Sequence, residues 1–362
     1  MTTSVYFVAP PNYYGNLDYN YELQIEEIKN LNPDKIYCMV ETETAGPYIF
    51  QYFLKNIEPY LKEYNKEVVI VIANPDGVRI SPHVVTSTSS GFALNNHNLI
   101  KRVKISKKFF KWDNCDRLFT CYNNNDKFHR YVLIDYLIAH NFLKYGYVTF
   151  INPKKTHQEL EKNIFQGKYK LKYYNLQKLK DEEDFKLNWP NREEYSPLEL
   201  PRSYLKGFID VVAESTYEPN EFFCTEKTCK PIATLKPFIC VSNQYYHKWL
   251  QDWYGLELYT ELFDYSFDEK ENVEERIQGV ISNMKRLLQL WKNDKNQLIE
   301  IYNSIMPKLL SNKQKIYDVI TDKDKMLPSK LKFLSTEPVQ IYGDTAYNPT
   351  VQICRMNGWL LT

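Results

Sequence analysis

Short apolar segments alternate with amphipathic segments through most of the chain, and this alternation limits the folds that it can adopt. The clearest apolar segment is 67–73, EVVIVIA, in which β-branched residues dominate. A strand with no polar face is typical of a sheet that is covered on both sides. Repeated strand–helix units pack as a parallel sheet between two layers of helices. The sequence therefore predicts an α/β protein.

The strand and helix predictions follow the apolar periodicity and the positions of proline. The predicted strands are 4–9, 35–41, 67–73, 117–122, 147–151, 207–214, 237–241 and 256–259. The predicted helices are 21–31, 47–64, 127–145, 225–235, 244–254, 268–291 and 295–319. Parallel sheets bind ligands at the carboxyl ends of their strands, so we expect functional residues directly after these strands.

The alternation is interrupted between residues 153 and 206, where the chain is rich in lysine and broken by proline. Such a composition is typical of a connection or an irregular insertion. A chain of 362 residues is long enough for two domains. We expect an N-terminal Rossmann-like domain at 1–152, a connection at 153–206, a C-terminal Rossmann-like domain at 207–335 and a tail at 336–362, for which a return to the first domain is one option.

Charge, hydropathy and cysteine usage exclude several classes of protein. The chain has 46 Lys and Arg against 45 Asp and Glu, a formal net charge of +1, so extensive electrostatic binding to nucleic acid is not favoured. No run of 18 apolar residues and no signal-peptide pattern occurs, so neither a membrane span nor secretion is predicted. Seven scattered cysteines without a Cys-x-x-Cys pair favour a reducing compartment. The expected location is the cytoplasm.

The densest group of candidate binding residues lies between 208 and 242, where a predicted strand ends and a helix begins. The candidates are Glu214, Ser215, Thr225, Glu226, Lys227 and Lys230. Thr225 stands in the position of an N-cap, and a helix N-terminus beside lysines is suited to a diphosphate. Glu226 is placed to accept hydrogen bonds from ribose hydroxyls. The alternative is that Thr225 and Glu226 only cap the helix and that the lysines are solvated.

A second group of cations, Lys127, His129 and Arg130, opens the helix after strand 117–122. Arginine binds phosphate oxygens in a bidentate manner, so Arg130 is a candidate for neutralising a leaving diphosphate. The alternatives are an ordinary surface helix start and, for His129, a structural histidine. If both groups bind one donor molecule, Lys127 and Arg130 must face the same cleft as residues 225–227.

Acidic residues after two strands of the first half are candidates for a general base. They are Glu41, Glu43 and Asp76, although a single acid in such a position is more often a solvated loop residue. The only Asp-x-Asp sequence, residues 322–324, follows a long helix rather than a strand, so no metal site is predicted. The chain has no G-x-G-x-x-G and no Walker motif, which argues against dinucleotide enzymes and P-loop NTPases.

The order of these residues resembles the donor-binding motif of α-1,3-fucosyltransferases and of related glycosyltransferases from phages and large DNA viruses. The resemblance rests on a strand that ends in Glu214-Ser215, on Phe-x-Thr-Glu-Lys at 223–227 and on Lys-Pro-Phe-Ile at 236–239. It implies a GT-B fold, in which two Rossmann-like domains face each other across a cleft and the C-terminal domain holds a nucleotide sugar. The residues implied to line the donor site are Glu214, Ser215, Thr225, Glu226 and Lys227.

The resemblance also defines the expected function. It implies an inverting, metal-independent transfer of a sugar from a nucleotide-diphosphate donor to a hydroxyl acceptor such as a glycan, with no cofactor besides the donor. The cytoplasm would be that of a host cell if the chain is viral. Ser215-Thr216 and Thr228-Cys229 depart from the family pattern, so the sugar is left open. The alternatives are a glycosyltransferase acting on hydroxymethylated DNA bases and a non-catalytic nucleotide- or glycan-binding protein.

Overall fold

The computed structural model describes residues 3–8, 21–39, 47–72, 79–88, 109–123, 127–150, 200, 203–215, 217, 224–321 and 339–343. Within these ranges the protein has a mixed α/β fold with two separate sheets, which confirms the predicted α/β class. The chain divides into two compact units. Unit 1 comprises Met1–Asn95 and Asp318–Thr362, and unit 2 comprises Asn96–Tyr317.

The described ranges contain the following strands and helices. The strands are β1 (Thr3–Val8), β2 (Lys35–Met39), β3 (Val68–Ile72), β4 (Arg79–Ser81), β5 (Val84–Thr88), β6 (Arg117–Asn123), β7 (Gly146–Phe150), β8 (Gly207–Ala213), β9 (Phe238–Val241) and β10 (Val339–Gly343). The α-helices are α1 (Tyr21–Leu31), α2 (Pro47–Glu63), α3 (Phe128–Ala139), α4 (Glu226–Ala233), α5 (Tyr246–Tyr254), α6 (Val273–Asn293) and α7 (Lys295–Thr321). None of these helices is long and apolar enough to cross a membrane.

The sheet of unit 1 has the order β10-β1-β2-β3-β5-β4, and its neighbouring strands are parallel except for the pair β4 and β5. Helices α1 and α2 contribute Ile28 and Ile57 to a buried core that also contains Tyr6, Ile36 and Val68 from the strands. The apolar stripes of the two helices therefore cover the sheet, as the periodicity of their sequences predicts.

The C-terminal part of the chain adds a strand to this first sheet. β10 pairs in parallel with β1, in a register that runs from Thr3 opposite Val339 to Phe7 opposite Gly343. Gly343 has a φ of +80°, and a Cβ atom there would lie 2.2 Å from the carbonyl oxygen of Phe7. Only glycine combines this backbone conformation with such close approach. Part of the predicted tail thus belongs to the N-terminal sheet.

The sheet of unit 2 has the order β7-β6-β8-β9, and all its described strands are parallel. Every residue of β8 is buried, which accounts for its nearly continuous apolar sequence. The adjoining helix α3 is buried from His129 to Leu137. This order and direction of strands bring the carboxyl ends of β6 and β8 next to each other.

The domain boundary differs from the predicted one. The prediction assigned residues 1–152 to the N-terminal domain, but β6 and β7 pair within the sheet that contains β8. Residues 153–206 therefore connect two strands of the same sheet rather than two domains. Strand–helix alternation has the same form in both units, so it shows where strands occur but not which strands pair.

The segment 256–259 is not a strand, contrary to the prediction. The outer edge of β9 is occupied, because the Cys240 N–H donates to Nε2 of His247 at 3.0 Å. The backbone of Glu257 bonds instead to the Asn312 side chain, which accepts from the Glu257 N–H at 2.7 Å and donates to its carbonyl at 2.8 Å. An amide side chain thus satisfies the backbone groups that a neighbouring strand would have bonded.

A buried lysine in unit 2 belongs to a polar network inside the core. Lys236 donates from Nζ to the Tyr204 carbonyl at 2.8 Å and to the Thr120 hydroxyl. Asp210 accepts from the Thr120 hydroxyl at 2.7 Å and from the Tyr204 hydroxyl at 2.5 Å. Burial lowers the pKa of Lys236 to about 8, although the nearby Asp210 opposes this shift.

We expect the stability of the wild-type protein relative to the Lys236→Met variant to rise between pH 7.5 and 9.5. The pKa of Lys236 falls from 10.5 to about 8 on folding, so the unfolded chain holds more protons across this window. The free energy of unfolding therefore increases with pH, by about 2 kcal/mol over the window. Urea denaturation at three pH values measures this difference, and a constant difference would contradict the assignment.

Candidate functional site

The strand order of unit 2 creates a topological switch point. The chain passes from β6 to β7 on one side of β6, and β8 then lies on the other side. The connections that follow two such neighbouring strands run in opposite directions. A crevice therefore forms between them at the carboxyl ends of the strands, where α/β proteins bind ligands. The connection after β6 leads to α3, and the connection after β8 leads to α4. Both predicted groups of cations therefore lie at this switch point.

Glu214 follows β8 directly and is fully buried. Its Oε1 accepts hydrogen bonds from the Thr225 N–H at 3.1 Å, the Thr228 hydroxyl at 2.6 Å and the Tyr246 hydroxyl at 3.2 Å. Its Oε2 accepts from the Thr225 hydroxyl at 2.6 Å and the Ser215 N–H at 3.2 Å. These bonds fasten the end of β8 to the start of α4 and to α5, and we call this set of contacts the Glu214 clamp.

Thr225 is the N-cap of α4, as the sequence predicts. Its backbone is extended, and its hydroxyl oxygen accepts from the Lys227 N–H at 3.3 Å. Cys224 and Cys229, which flank the cap at the positions of a hydrophobic staple, are both buried. The Glu214 clamp and the staple together fix the direction in which α4 presents its first turn.

The two predicted groups of cations meet at Ser215. Lys127 donates from Nζ to the Ser215 carbonyl at 2.6 Å, and Lys227 donates from Nζ to the Ser215 hydroxyl at 3.0 Å. Arg130 donates from its guanidinium to the carbonyl of the preceding residue, Glu214, at 3.1 Å. The structure therefore brings together side chains from both sides of the switch point that are separated by about a hundred residues in sequence.

The predicted binding residues differ in their exposure. The side chains of Glu226 and Lys227 are 20% and 22% exposed and form an ion pair at 3.3 Å, and Lys127 is also partly exposed. Arg130 and Lys230 are buried. Ligand atoms can therefore reach Lys127, Glu226 and Lys227 directly. The resemblance implies that Glu214 and Thr225 line the donor site, whereas in the structure their side chains are buried and bonded to each other.

The described side chains around Glu214 and Ser215 include several cations. They are Lys127, Arg130, Lys227 and Lys230, and the carboxylates among them are Glu214 and Glu226. Burial raises the pKa of Glu226, but the nearby lysines outweigh this effect and the net shift is downward. Burial lowers the pKa of Lys230. Such a group of cations suits an anionic ligand.

His129 supports the strand end from the other side. Burial, followed by the charge of Arg130, holds the pKa of His129 well below its usual value, so the ring is neutral. Its Nε2 lies 2.8 Å from the Glu214 carbonyl oxygen, which can only accept, so the proton is on Nε2. Nδ1 has no hydrogen-bond partner among the described residues, and the ring packs on Tyr217 at 4.8 Å. These contacts favour the structural alternative for this histidine.

Arg276 is a buried residue of the site that the sequence did not reveal. From α6 its guanidinium donates to the carbonyl groups of Ser242 at 2.9 Å, Tyr217 at 2.8 Å and Lys270 at 2.6 Å, and it also bonds to the Glu271 carbonyl. It thereby ties together the segments that follow β8 and β9. An arginine on an amphipathic helix is usually solvated, so its sequence context carries no sign of this role.

The predicted general bases Glu41, Glu43 and Asp76 lie outside the described residues, as does the Asp-x-Asp sequence at 322–324. Within the part of the chain that the structure describes, no cluster of three His, Cys, Asp or Glu side chains is arranged for a metal ion. The candidate site thus consists of the cations that are grouped at the carboxyl ends of β6 and β8 in unit 2.

Comparisons with models of known families, with curated proteins and with solved structures find no match to this chain. The features that bear on function are therefore the geometry and charge of the site and the motif resemblance in the sequence.

Proposed function

We propose that unit 2 binds the diphosphate of a nucleotide sugar and that the protein is a glycosyltransferase. The observation that carries this proposal is the convergence of Lys127 and Lys227 on Ser215 at the topological switch point. Ligands of parallel α/β sheets bind at such points, and two partly exposed ammonium groups beside a helix N-terminus are suited to phosphate oxygens. The cations at this edge, Lys127, Arg130, Lys227 and Lys230, suit the negative charge of a diphosphate.

In the proposed site, some residues contact the ligand and others hold those residues in place. Lys127 and Lys227 contact the diphosphate, and Glu226 accepts hydrogen bonds from the ribose hydroxyls. The Glu214 clamp holds the first turn of α4 so that its N–H groups face the phosphate. Arg130 is buried against the Glu214 carbonyl and adds positive charge from behind the site. A preorganised charge of this kind needs no rearrangement when the leaving group forms.

The proposed reaction is an in-line displacement at the anomeric carbon. The acceptor hydroxyl oxygen forms the new bond to that carbon while the bond to the diphosphate oxygen breaks, and the electron pair leaves with the diphosphate. The hydroxyl proton passes to a carboxylate, for which Glu41, Glu43 and Asp76 remain the candidates. The motif resemblance supports an inverting, metal-independent mechanism and a GT-B arrangement, and the two sheets of mainly parallel strands are compatible with that fold.

Isothermal titration calorimetry tests the proposed binding. UDP, GDP, dTDP and the corresponding monophosphates are each titrated into the protein, and their affinities are compared. At least one diphosphate is expected to bind more tightly than its monophosphate. The Lys127→Ala variant should bind that diphosphate about 10- to 100-fold more weakly, because a charge-assisted contact is lost.

The matched control for this experiment is Lys248→Ala. Lys248 lies on α5 in the same unit, is exposed and pairs with Asp252 at 2.8 Å. Its replacement should leave the affinity unchanged. The proposal fails if the wild-type protein binds none of the three diphosphates, or if the two variants lose affinity equally. Binding without transfer of any sugar would instead favour the non-catalytic alternative.

A further inference from the structure

An exposed tyrosine with a left-handed backbone stands at the carboxyl edge of the unit 2 sheet. Tyr245 has φ = 61° and ψ = 21° and immediately precedes α5. A bulky residue in this conformation is strained, because its Cβ crowds the following carbonyl oxygen, whereas Gly avoids the strain and Asn reduces it. Three of the other four non-glycine residues with positive φ in the described ranges are asparagines, and the fourth is Leu235. At most of these positions the chain has asparagine, which tolerates the left-handed conformation, whereas at position 245 it has a tyrosine.

The surrounding contacts hold the Tyr245 backbone in place. Its N–H donates to the Asp268 carbonyl at 2.7 Å, and its own carbonyl accepts from the Trp249 N–H at 2.9 Å. The next residue, Tyr246, belongs to the Glu214 clamp through its hydroxyl. The backbone of Tyr245 is thus fixed on both sides and lies one residue from the side chains that organise the proposed diphosphate site.

The Tyr245 side chain, in contrast, is 38% exposed, and it has no hydrogen bond or ring contact with the described residues. The strained backbone therefore places a partly exposed aromatic side chain after β9, the strand that neighbours β8. Backbone strain that hydrogen bonds maintain, at a side chain with no hydrogen bond or ring contact among the described residues, points to a functional role.

We infer that Tyr245 stacks on the nucleobase of the bound nucleotide and so contributes to selection of the nucleotide part of the donor. This inference rests on the proposed function, because it assumes that the diphosphate lies at Ser215. An aromatic ring stacks on any planar base, so Tyr245 recognises the presence of a base more than its identity.

The test compares wild-type protein with the Tyr245→Asn and Tyr245→Phe variants. Asparagine tolerates the left-handed backbone, so Tyr245→Asn should fold, which circular dichroism checks. The same variant should bind the preferred nucleoside diphosphate about 10- to 100-fold more weakly, because the stacking partner is lost. Its affinity for inorganic pyrophosphate should be unchanged, and Tyr245→Phe should bind the nucleotide like the wild type.

Leu235→Asn is the matched control, because Leu235 has φ = 57° at the opposite end of α4. It should leave both affinities unchanged. Equal nucleotide affinity in Tyr245→Asn and wild type would overturn the inference and leave the proposed function standing. A parallel loss of pyrophosphate affinity would also overturn it, since stacking on a base cannot affect pyrophosphate. Failure of the wild type to bind either ligand would instead overturn the proposed function.

Discussion

Replacing Lys227 with alanine is expected to lower kcat for sugar transfer by about two to three orders of magnitude, as removal of one positioned electrostatic group does in other enzymes. Lys227 donates to Ser215 at the point where the leaving diphosphate would gather negative charge. Its charge stabilises the transition state more than the bound donor, so kcat should fall at least as much as donor affinity. Steady-state kinetics with the donor identified by calorimetry measure both.

Two variants make this prediction specific. Glu226→Ala removes contacts to the ribose that are equal in the ground and transition states, so it should mainly raise KM. Lys285→Ala removes an exposed lysine of α6 in the same unit and should behave like the wild type. Circular dichroism checks that each variant is folded. If folded Lys227→Ala retains wild-type transfer and donor binding, the donor site lies elsewhere.

Glu214→Gln is expected to destabilise the protein by about 3 kcal/mol, although the two side chains have almost the same shape. Each carboxylate oxygen accepts from one backbone N–H, that of Thr225 or that of Ser215. The hydroxyl groups of the clamp can rotate, but a backbone N–H can only donate. Whichever of the two oxygens is replaced by the NH2 group of glutamine, one buried backbone N–H therefore loses its acceptor.

Urea denaturation measures the loss of stability in Glu214→Gln. Glu300→Gln is the matched control, because Glu300 is exposed on α7 and its replacement should change stability by less than about 0.5 kcal/mol. A Glu214→Gln protein as stable as this control would show that the clamp does not hold α4 in place. The supporting role assigned to Glu214 would then be wrong.

Much of the local structure could be predicted, because helix and strand periodicity are properties of short segments. The helix predicted at 21–31 matches α1 within the same bounds, and the strand predicted at 207–214 exceeds β8 by one residue. β10 could not be predicted in this way. It pairs with β1 across more than three hundred residues of sequence, and its own short sequence has no apolar run that identifies a strand.

The candidate site was partly predictable for the same reason. An N-cap and neighbouring lysines form a local pattern, so Thr225 and Lys227 could be identified from the sequence. Burial and distant partners cannot be read from such a pattern. Glu214 was expected to face a ligand, but its partners include residues 11 to 32 positions away that enclose it. Arg276 reaches Tyr217, 59 positions earlier, and only the fold brings them together.

A crystal structure of the protein with the tightest-binding nucleoside diphosphate tests the central claim most directly. We expect a β-phosphate oxygen within about 2.7–3.2 Å of Nζ of both Lys127 and Lys227, next to the first turn of α4. A diphosphate that contacts neither lysine, or that binds away from the carboxyl ends of β6 and β8, would contradict it.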